Sequence, residues 1–361
     1  MYTPWLKAPA ALPTDLPSYA FATGLRQRAR KMTVAIVGLD AAVAKKTRHY
    51  LYRTAWDFGD LRVRDLGDVR KPNVDFVIPL LRELHGAGII PLLLGGAPAH
   101  FRSQYLAFAE LRRQVSLLQL DSRIELSPTP PAAGDERLLD AALYRPQRRQ
   151  FHLTHVGSQQ HLIDPAIPRA FSLADYEHVS LGTAKGDLTR LEPVLRDADL
   201  VGIDIRALHH QDAPARREIQ PSGFNLQEAC QLAYYAGHSD KLSSFGLYGL
   251  NTSSPEAEQE LTAAGYAQLA WYFLQGIHQR AGDFPARSDN MTEYIVDIEG
   301  LHQLTFWRSN TTTRWWVQIP DGSYKGEERH RLVPCSYEDF LEASQEQTLP
   351  DRLLMAFRRY A

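Results

Sequence analysis

Short runs of apolar residues with no polar position to turn toward water recur along this chain, and they restrict its fold more than any other feature. Val34-Ala35-Ile36-Val37-Gly38 is one, and Ile89-Ile90-Pro91-Leu92-Leu93-Leu94-Gly95-Gly96 is another; each is closed by glycine. Residues 115–120, Leu200-Val201-Gly202-Ile203-Asp204 and residues 242–250 are of the same kind. Such strands must be buried on both faces, which a mostly parallel sheet between two helical layers achieves. Between them, Val74, Phe76, Val77, Leu80, Leu81 and Leu84 recur at helical spacing over 73–85, and 105–114 reads as a further helix.

Two helix starts are well marked. Asn225 followed by Glu228 is the pattern of a capping box and opens a helix through Tyr235. Ser254-Pro255-Glu256 offers a cap, a proline at the first helical position and an early acid ahead of a helix to about Arg280. Residues 127–169, rich in Pro, Arg and Gln, are expected to leave the sheet. After about Gly282 the pattern changes to strands over 293–298, 303–308 and 314–319, the last two joined by a polar turn, and a final helix over 337–361. The expected organisation is a main α/β domain over 1–283 and a C-terminal hairpin-and-helix extension over 284–361 packed on it.

Composition excludes several classes of protein. The 361 residues carry 40 Lys+Arg against 42 Asp+Glu, so no net field favours nucleic acid or an anionic membrane. The two cysteines, Cys230 and Cys335, are too few for a disulfide framework or a structural zinc site. The longest uncharged stretch, 86–101, is shorter than a membrane helix and is broken by glycine and proline. The first residues lack the apolar core of a signal peptide, and a cytoplasmic location is the expectation. There is no Walker glycine loop and no Gly-x-Ser-x-Gly elbow.

Ligands of open parallel sheets bind beyond the carboxyl ends of the strands. Here those ends read Leu94-Gly95-Gly96-Ala97-Pro98-Ala99, Leu120-Asp121-Ser122-Arg123-Ile124-Glu125 and Gly202-Ile203-Asp204-Ile205-Arg206. In order and spacing they resemble three motifs of the ureohydrolase superfamily (arginases, agmatinases and formimidoylglutamases): Gly-Gly-Asp-His, Asp-Ala-His-x-Asp and Asp-x-Asp. Asp65-Leu66-Gly67-Asp68 and Pro221-Ser222-Gly223-Phe224 add to the resemblance, which covers roughly residues 30–281. It implies a three-layer arginase-like domain. In that family the motifs give six ligands to two manganese ions, whose bridging hydroxide attacks a guanidinium or formimidoyl carbon.

The departures fall on the ligands. The first histidine position is Pro98, Arg123 stands at the second histidine, and Glu125 stands at an aspartate. Arg206 stands at the second aspartate of the third motif, while Asp121 and Asp204 match the two carboxylates that bridge both metals. A family glutamate that contacts the substrate's guanidinium falls near Gly249. A guanidinium carries only donors and cannot coordinate a cation. Two of them could instead balance the carboxylates through bidentate ion pairs. On this reading no cofactor is expected. A competing reading keeps one metal on Asp121, Glu125 and Asp204, with His100 as fourth ligand if its loop shifts.

The expected function is therefore that of a catalytically inactive ureohydrolase homologue acting as a binding or scaffold protein, with an unidentified protein partner and no nucleic acid or membrane insertion. The alternatives are a divergent hydrolase of C–N bonds in guanidino or formimidoyl compounds, and a sensor of a small carboxylate or phosphate. Family members are commonly trimers or hexamers, so a homo-oligomer is also expected by resemblance. Trp307, Trp315 and Trp316 are candidates for a protein interface. His209-His210 with Asp212 reads as a solvated loop. Cys230 reads as core, and Arg26, Arg28, Arg30 and Lys31 as a solvated basic run.

Overall fold

The computed structural model describes residues 2, 4–25, 32–112, 114–126, 150–173, 175–283, 290–298, 303–319 and 331–360. In chain order the first elements are β1 (Leu6–Lys7), α1 (Phe21–Leu25), β2 (Val34–Gly38), α2 (Ala41–Leu51), β3 (Val63–Val69), α3 (Val74–Gly86), β4 (Ile90–Leu94), α4 (His100–Ala109) and β5 (Val115–Leu120). There follow β6 (Gln150–Ser158), α5 (Ile167–Leu173), β7 (Glu177–Ser180), α6 (Leu181–Gly186), α7 (Leu191–Arg196), β8 (Leu200–Asp204), α8 (Leu226–His238), β9 (Ser244–Tyr248) and α9 (Glu256–His278).

The strands form one sheet in the order β1-β3-β2-β4-β9-β8-β5-β6-β7. Every pairing is parallel except that of β1 with β3. Successive residues of a strand enter opposite cores, as the two-residue period requires. Ile36, Leu92, Leu94 and Leu118 pack with α2, α8 and α9, whereas Val37, Leu93 and Leu117 pack with α3 and α4. The fold is thus three layers, and the fully apolar strands are those with a helix on each side.

The capping box at Asn225 and Glu228 is formed in both directions, each bond 2.8 Å long. Other boundaries differ from expectation. Helix α9 begins with Pro255 in the cap position and so has no side-chain cap, while Gln259 Nε2 donates to Thr252 O and Ser254 O in the entering turn. Helix α4 starts at His100 instead of Tyr105, again without a side-chain cap. Residues 150–158 do not leave the sheet: they form β6, which lies between β5 and β7, with its histidines His152 and His155 buried. Strand β3 was hidden by its charges, for Asp65 and Asp68 are held by the buried Arg48 at 2.6 and 2.5 Å. The basic run at 26–31, the segment 127–149 and the residues just after the expected boundary at 283 lie outside the described residues.

The C-terminal region is larger than a hairpin. It is a four-stranded antiparallel sheet of β10 (Met291–Val296), β11 (Leu304–Ser309), β12 (Trp315–Gln318) and β13 (Leu332–Cys335), followed by α10 (Tyr337–Gln345) and α11 (Asp351–Tyr360). The single helix expected over 337–361 breaks where Gln347 takes a φ of 58° and Pro350 precedes the next turn. The exposed tryptophan interface is corrected. Trp315 and Trp316 are adjacent on β12 and so face opposite ways: Trp315 stacks on Phe340 within the extension's own core, and Trp316 lies under the Arg196 guanidinium at 4.4 Å. Both are buried, while Trp307 is half-buried and donates from Nε1 to Gln318 Oε1 at 3.0 Å. Among the described residues no helix is long and apolar enough to cross a membrane.

Candidate functional site

The order β4-β9-β8-β5 brings the ends of four strands side by side, and with them the three motifs singled out in the sequence. Asp121 directly follows β5, and Asp204 ends β8. The backbone then turns tightly, because the Asp204 carboxylate accepts the Arg206 N–H at 2.9 Å. That turn aims the Arg206 side chain back across the strand ends. Its Nη2 donates to Asp121 Oδ2 at 2.6 Å, its Nη1 to Glu125 Oε1 at 2.5 Å, and its Nε stands 3.3 Å from Asp204 Oδ1. One guanidinium therefore holds all three surviving carboxylates.

Arg123 does not share this role, contrary to the expectation of two balancing guanidiniums. Its backbone N–H donates to Asp121 Oδ1 at 3.2 Å, but its side chain turns outward to Glu218 at 2.9 Å. The reason lies in β6, where buried His155 bonds the Arg123 carbonyl at 2.9 Å and fixes the direction of that loop. Burial holds His155 neutral, with a pKa lowered to about 3.

One positive charge faces three negative ones. Burial pushes the pKa of Asp121 well up, the neighbouring Asp204 adds to the rise, and Arg206 opposes it. Asp204 is likewise raised by burial against the pull of Arg206. For Arg206, burial disfavours the charge, but Asp204, Asp121 and Glu125 outweigh it and raise its pKa.

A cleft of about 580 Å³ opens above this cluster, with Asp40, Pro98, His100, Asp204 and Arg206 among its walls. Gly249 makes room for it: its φ is +93°, and a Cβ there would stand 2.7 Å from Asp204 Oδ1. No side chain, and hence no glutamate, fits at that position. His100 is buried at the start of α4, with Nδ1 bonded to the Ala97 carbonyl at 3.1 Å. A carbonyl only accepts, so the ring donates to Ala97 from Nδ1 when that nitrogen carries the proton. Burial lowers the His100 pKa and keeps the ring neutral. Asp204 Oδ2 is a buried atom with no hydrogen-bond partner, while the His100 ring has the backbone of Ala97 and of Pro72 beside it.

Among the wall residues that no sequence motif points to are Asp40 and Arg216. Asp40 caps α2, accepting from the N–H groups of Ala42 and Val43, and its place just after the glycine-closed β2 was a usable signal. Arg216 ties the loop after β8 through the carbonyls of Ala213, Leu208 and His209, and carried no signal of its own. Of the other candidates, Asp212 accepts from the Leu226 N–H at the start of α8, and burial pushes the Cys230 thiol up to about 12.

In sequence, no family model and no curated protein matches the chain. In structure, it is similar to Trypanosoma cruzi formiminoglutamase solved with Mn²⁺, at a TM-score of 0.62 and 16% identity over 74% of this chain and 100% of that one. It is also similar to formimidoylglutamase from Bacillus subtilis, at 0.61 and 15% identity over 71% and 90%. Agmatine ureohydrolase of Thermoplasma volcanium follows at 0.56 and 15% over 73% and 95%. The chain has the arginase-superfamily fold.

These structures correct the expectation that no cofactor is involved, since a protein of the same arginase fold is solved with manganese. The residues here do not fit a divalent ion as they stand. Among the described residues no group of three or more His, Cys, Asp or Glu is arranged to hold a metal. The three gathered carboxylates have Arg206 between them, directed at oxygens a cation would use.

Proposed function

We propose that this chain binds a small guanidinium or amidinium compound in the cleft at the strand ends, without hydrolysing it. The observation that carries the reading is the buried carboxylate oxygen Asp204 Oδ2, which has no hydrogen-bond partner and belongs to a residue that lines the cleft together with His100. A buried polar atom without a partner costs about 1–3 kcal/mol, so a ligand that supplies an N–H donor to it gains that much by binding. The carboxylate favours a cationic donor. Binding without hydrolysis follows from Arg206, which occupies the carboxylates that would otherwise be open to a water-activating ion.

A second reading is hydrolysis of a C–N bond with manganese, the cofactor to which the structural likenesses point. To be held by Asp121, Glu125 and Asp204, manganese must first displace Arg206 from them. Calorimetry with n-butylguanidine, with and without manganese, tests the proposal. Binding by the native chain, weakened about tenfold in Asp204→Asn, with no urea or ammonia released, is the expected result. Release of either product on adding manganese would decide for the second reading.

A further inference from the structure

A second cavity, of about 390 Å³, lies at the opposite end of the sheet, where α3 and α4 end and β4 and β9 begin. Gly96 and Gly249, beyond the other ends of those two strands, line the cleft described above, so the length of a five-residue strand, about 16 Å, separates the two. The wall of the second cavity carries two guanidinium groups, Arg112 just after α4 and Arg280 just after α9, and one carboxylate, Asp240. Arg112 is exposed, and its side chain makes no hydrogen bond or ion pair among the described residues. Arg280 donates from Nε to Gly237 O at 2.8 Å and from Nη2 to Leu242 O at 3.1 Å, which leaves Nη1 without a partner among the described residues. Burial lowers its pKa to about 10, against the attraction of Asp240. Asp240 itself accepts the Asp283 N–H at 3.0 Å.

The helix ends do not take up the two cations. The last carbonyls of α3 are bonded by the N–H groups of Ala87, Gly88 and Ile89, and that of Phe108 in α4 by those of Leu111 and Arg112. Two guanidiniums against one carboxylate leave the wall with a net positive charge. The rest of the wall is neutral or apolar. His85 meets the Phe108 ring edge-on at 5.1 Å, and burial holds it uncharged, with a pKa lowered to about 3. Beside Arg112, Leu111 is 42% exposed. A cavity of this size with a cationic pair at one side and an aromatic and a leucine at the other fits a molecule with an anionic head and an apolar body. We infer that this cavity is a second binding site, taking a small organic acid whose carboxylate pairs with Arg112 and Arg280 and whose body rests on Phe108 and Leu111. The inference does not depend on what the strand-end cleft binds, because the two cavities share no wall residue.

Fluorine magnetic resonance titrations at low salt test it with 4-fluorophenylacetate, its uncharged amide and inorganic phosphate as competitor. The native chain is expected to bind the acid about fivefold more tightly than the amide, the range of an exposed ion pair. Arg112→Gln should remove that preference and leave binding of the amide unchanged. Arg217→Gln, which alters an exposed arginine on the wall of the strand-end cleft, should leave both affinities as they are. No binding of the acid, equal binding of acid and amide by the native chain, or a preference that survives in Arg112→Gln would overturn the inference. A preference lost in Arg217→Gln instead would place the acid in the other cleft and overturn it too. Phosphate that displaces the acid at equal concentration would leave the apolar body without a role, and with it the ligand class proposed.

Discussion

Two arginines flank β8, a buried one before it and a half-buried one after it, and their surroundings differ in kind. Arg196 is held by the carbonyls of Trp315 and Cys335 at 3.2 and 3.1 Å, by Glu192 at 3.2 Å and by the face of Trp316. Its neighbours are mostly neutral, and Trp315, Trp316 and Cys335 come from the C-terminal sheet. Arg206 has carboxylates for partners, two of them buried, and stands in the wall of a cavity. An arginine met by carbonyls and an indole joins two layers. One surrounded by carboxylates compensates charge that was gathered for another purpose. The sign and number of the partners, more than burial, separate a fastening from a former or present site.

The largest effect should come from Arg206→Met. It leaves Asp121 and Asp204 buried without a cation, and loss of one partner from such a cluster costs about 3–5 kcal/mol. Both carboxylates already have raised pKa values, so the folded variant binds protons more readily than its unfolded chain. Stability present at low pH is then lost as pH rises through the folded-state pKa values. Urea melts should therefore show a deficit that is greatest at neutral pH and shrinks on acidification.

Arg196→Met should cost somewhat less, about 2–4 kcal/mol, because it strands two carbonyls and one carboxylate. Its deficit should not shrink on acidification in the same way. Hydrogen exchange should quicken in β12 and β13 while guanidinium binding in the cleft persists; loss of that binding would break the distinction drawn between the two arginines.

Between them lies a test of the layer that directs the site. His155 is buried and neutral, with a pKa lowered to about 3 against 6.5 for the free side chain. A depressed folded-state pKa gives stability that is present above about 6.5 and lost as pH falls toward 3, at up to ~1.4 kcal/mol per pH unit. His155→Gln should flatten that part of the stability–pH curve. Smallest of all is Arg123→Gln. Its ion pair with Glu218 is well exposed, so the melting free energy should move by about 0.5 kcal/mol or less. A loss as large as that of Arg206→Met would restore the idea of two equivalent guanidiniums.

The contrast also shows what was legible in the sequence. Strands buried on both faces declare themselves, so β2, β4, β5, β8 and β9 could be read directly. Strands whose polar groups are satisfied by tertiary partners could not: β3 needs Arg48 to neutralise its aspartates, and β6 needs Thr154 and the Arg123 carbonyl to accommodate its histidines. The motif order placed Asp121, Glu125, Asp204 and Arg206 together correctly, because strand ends fix positions. It could not say which of Arg123 and Arg206 turns inward, since that depends on a tight turn held by Asp204 and on His155 in a neighbouring strand. The tryptophans misled for a related reason, as consecutive residues of one strand reach two different cores.

The most direct test of the account is the affinity for manganese of the native chain and of Arg206→Ala, measured by the paramagnetic resonance of free Mn²⁺ under conditions where both are folded. If Arg206 is the cation that holds Asp121, Glu125 and Asp204, its removal frees them, and Arg206→Ala should bind manganese at least about tenfold more tightly than the native chain. Equal affinities, or weaker binding by the variant, would contradict the account.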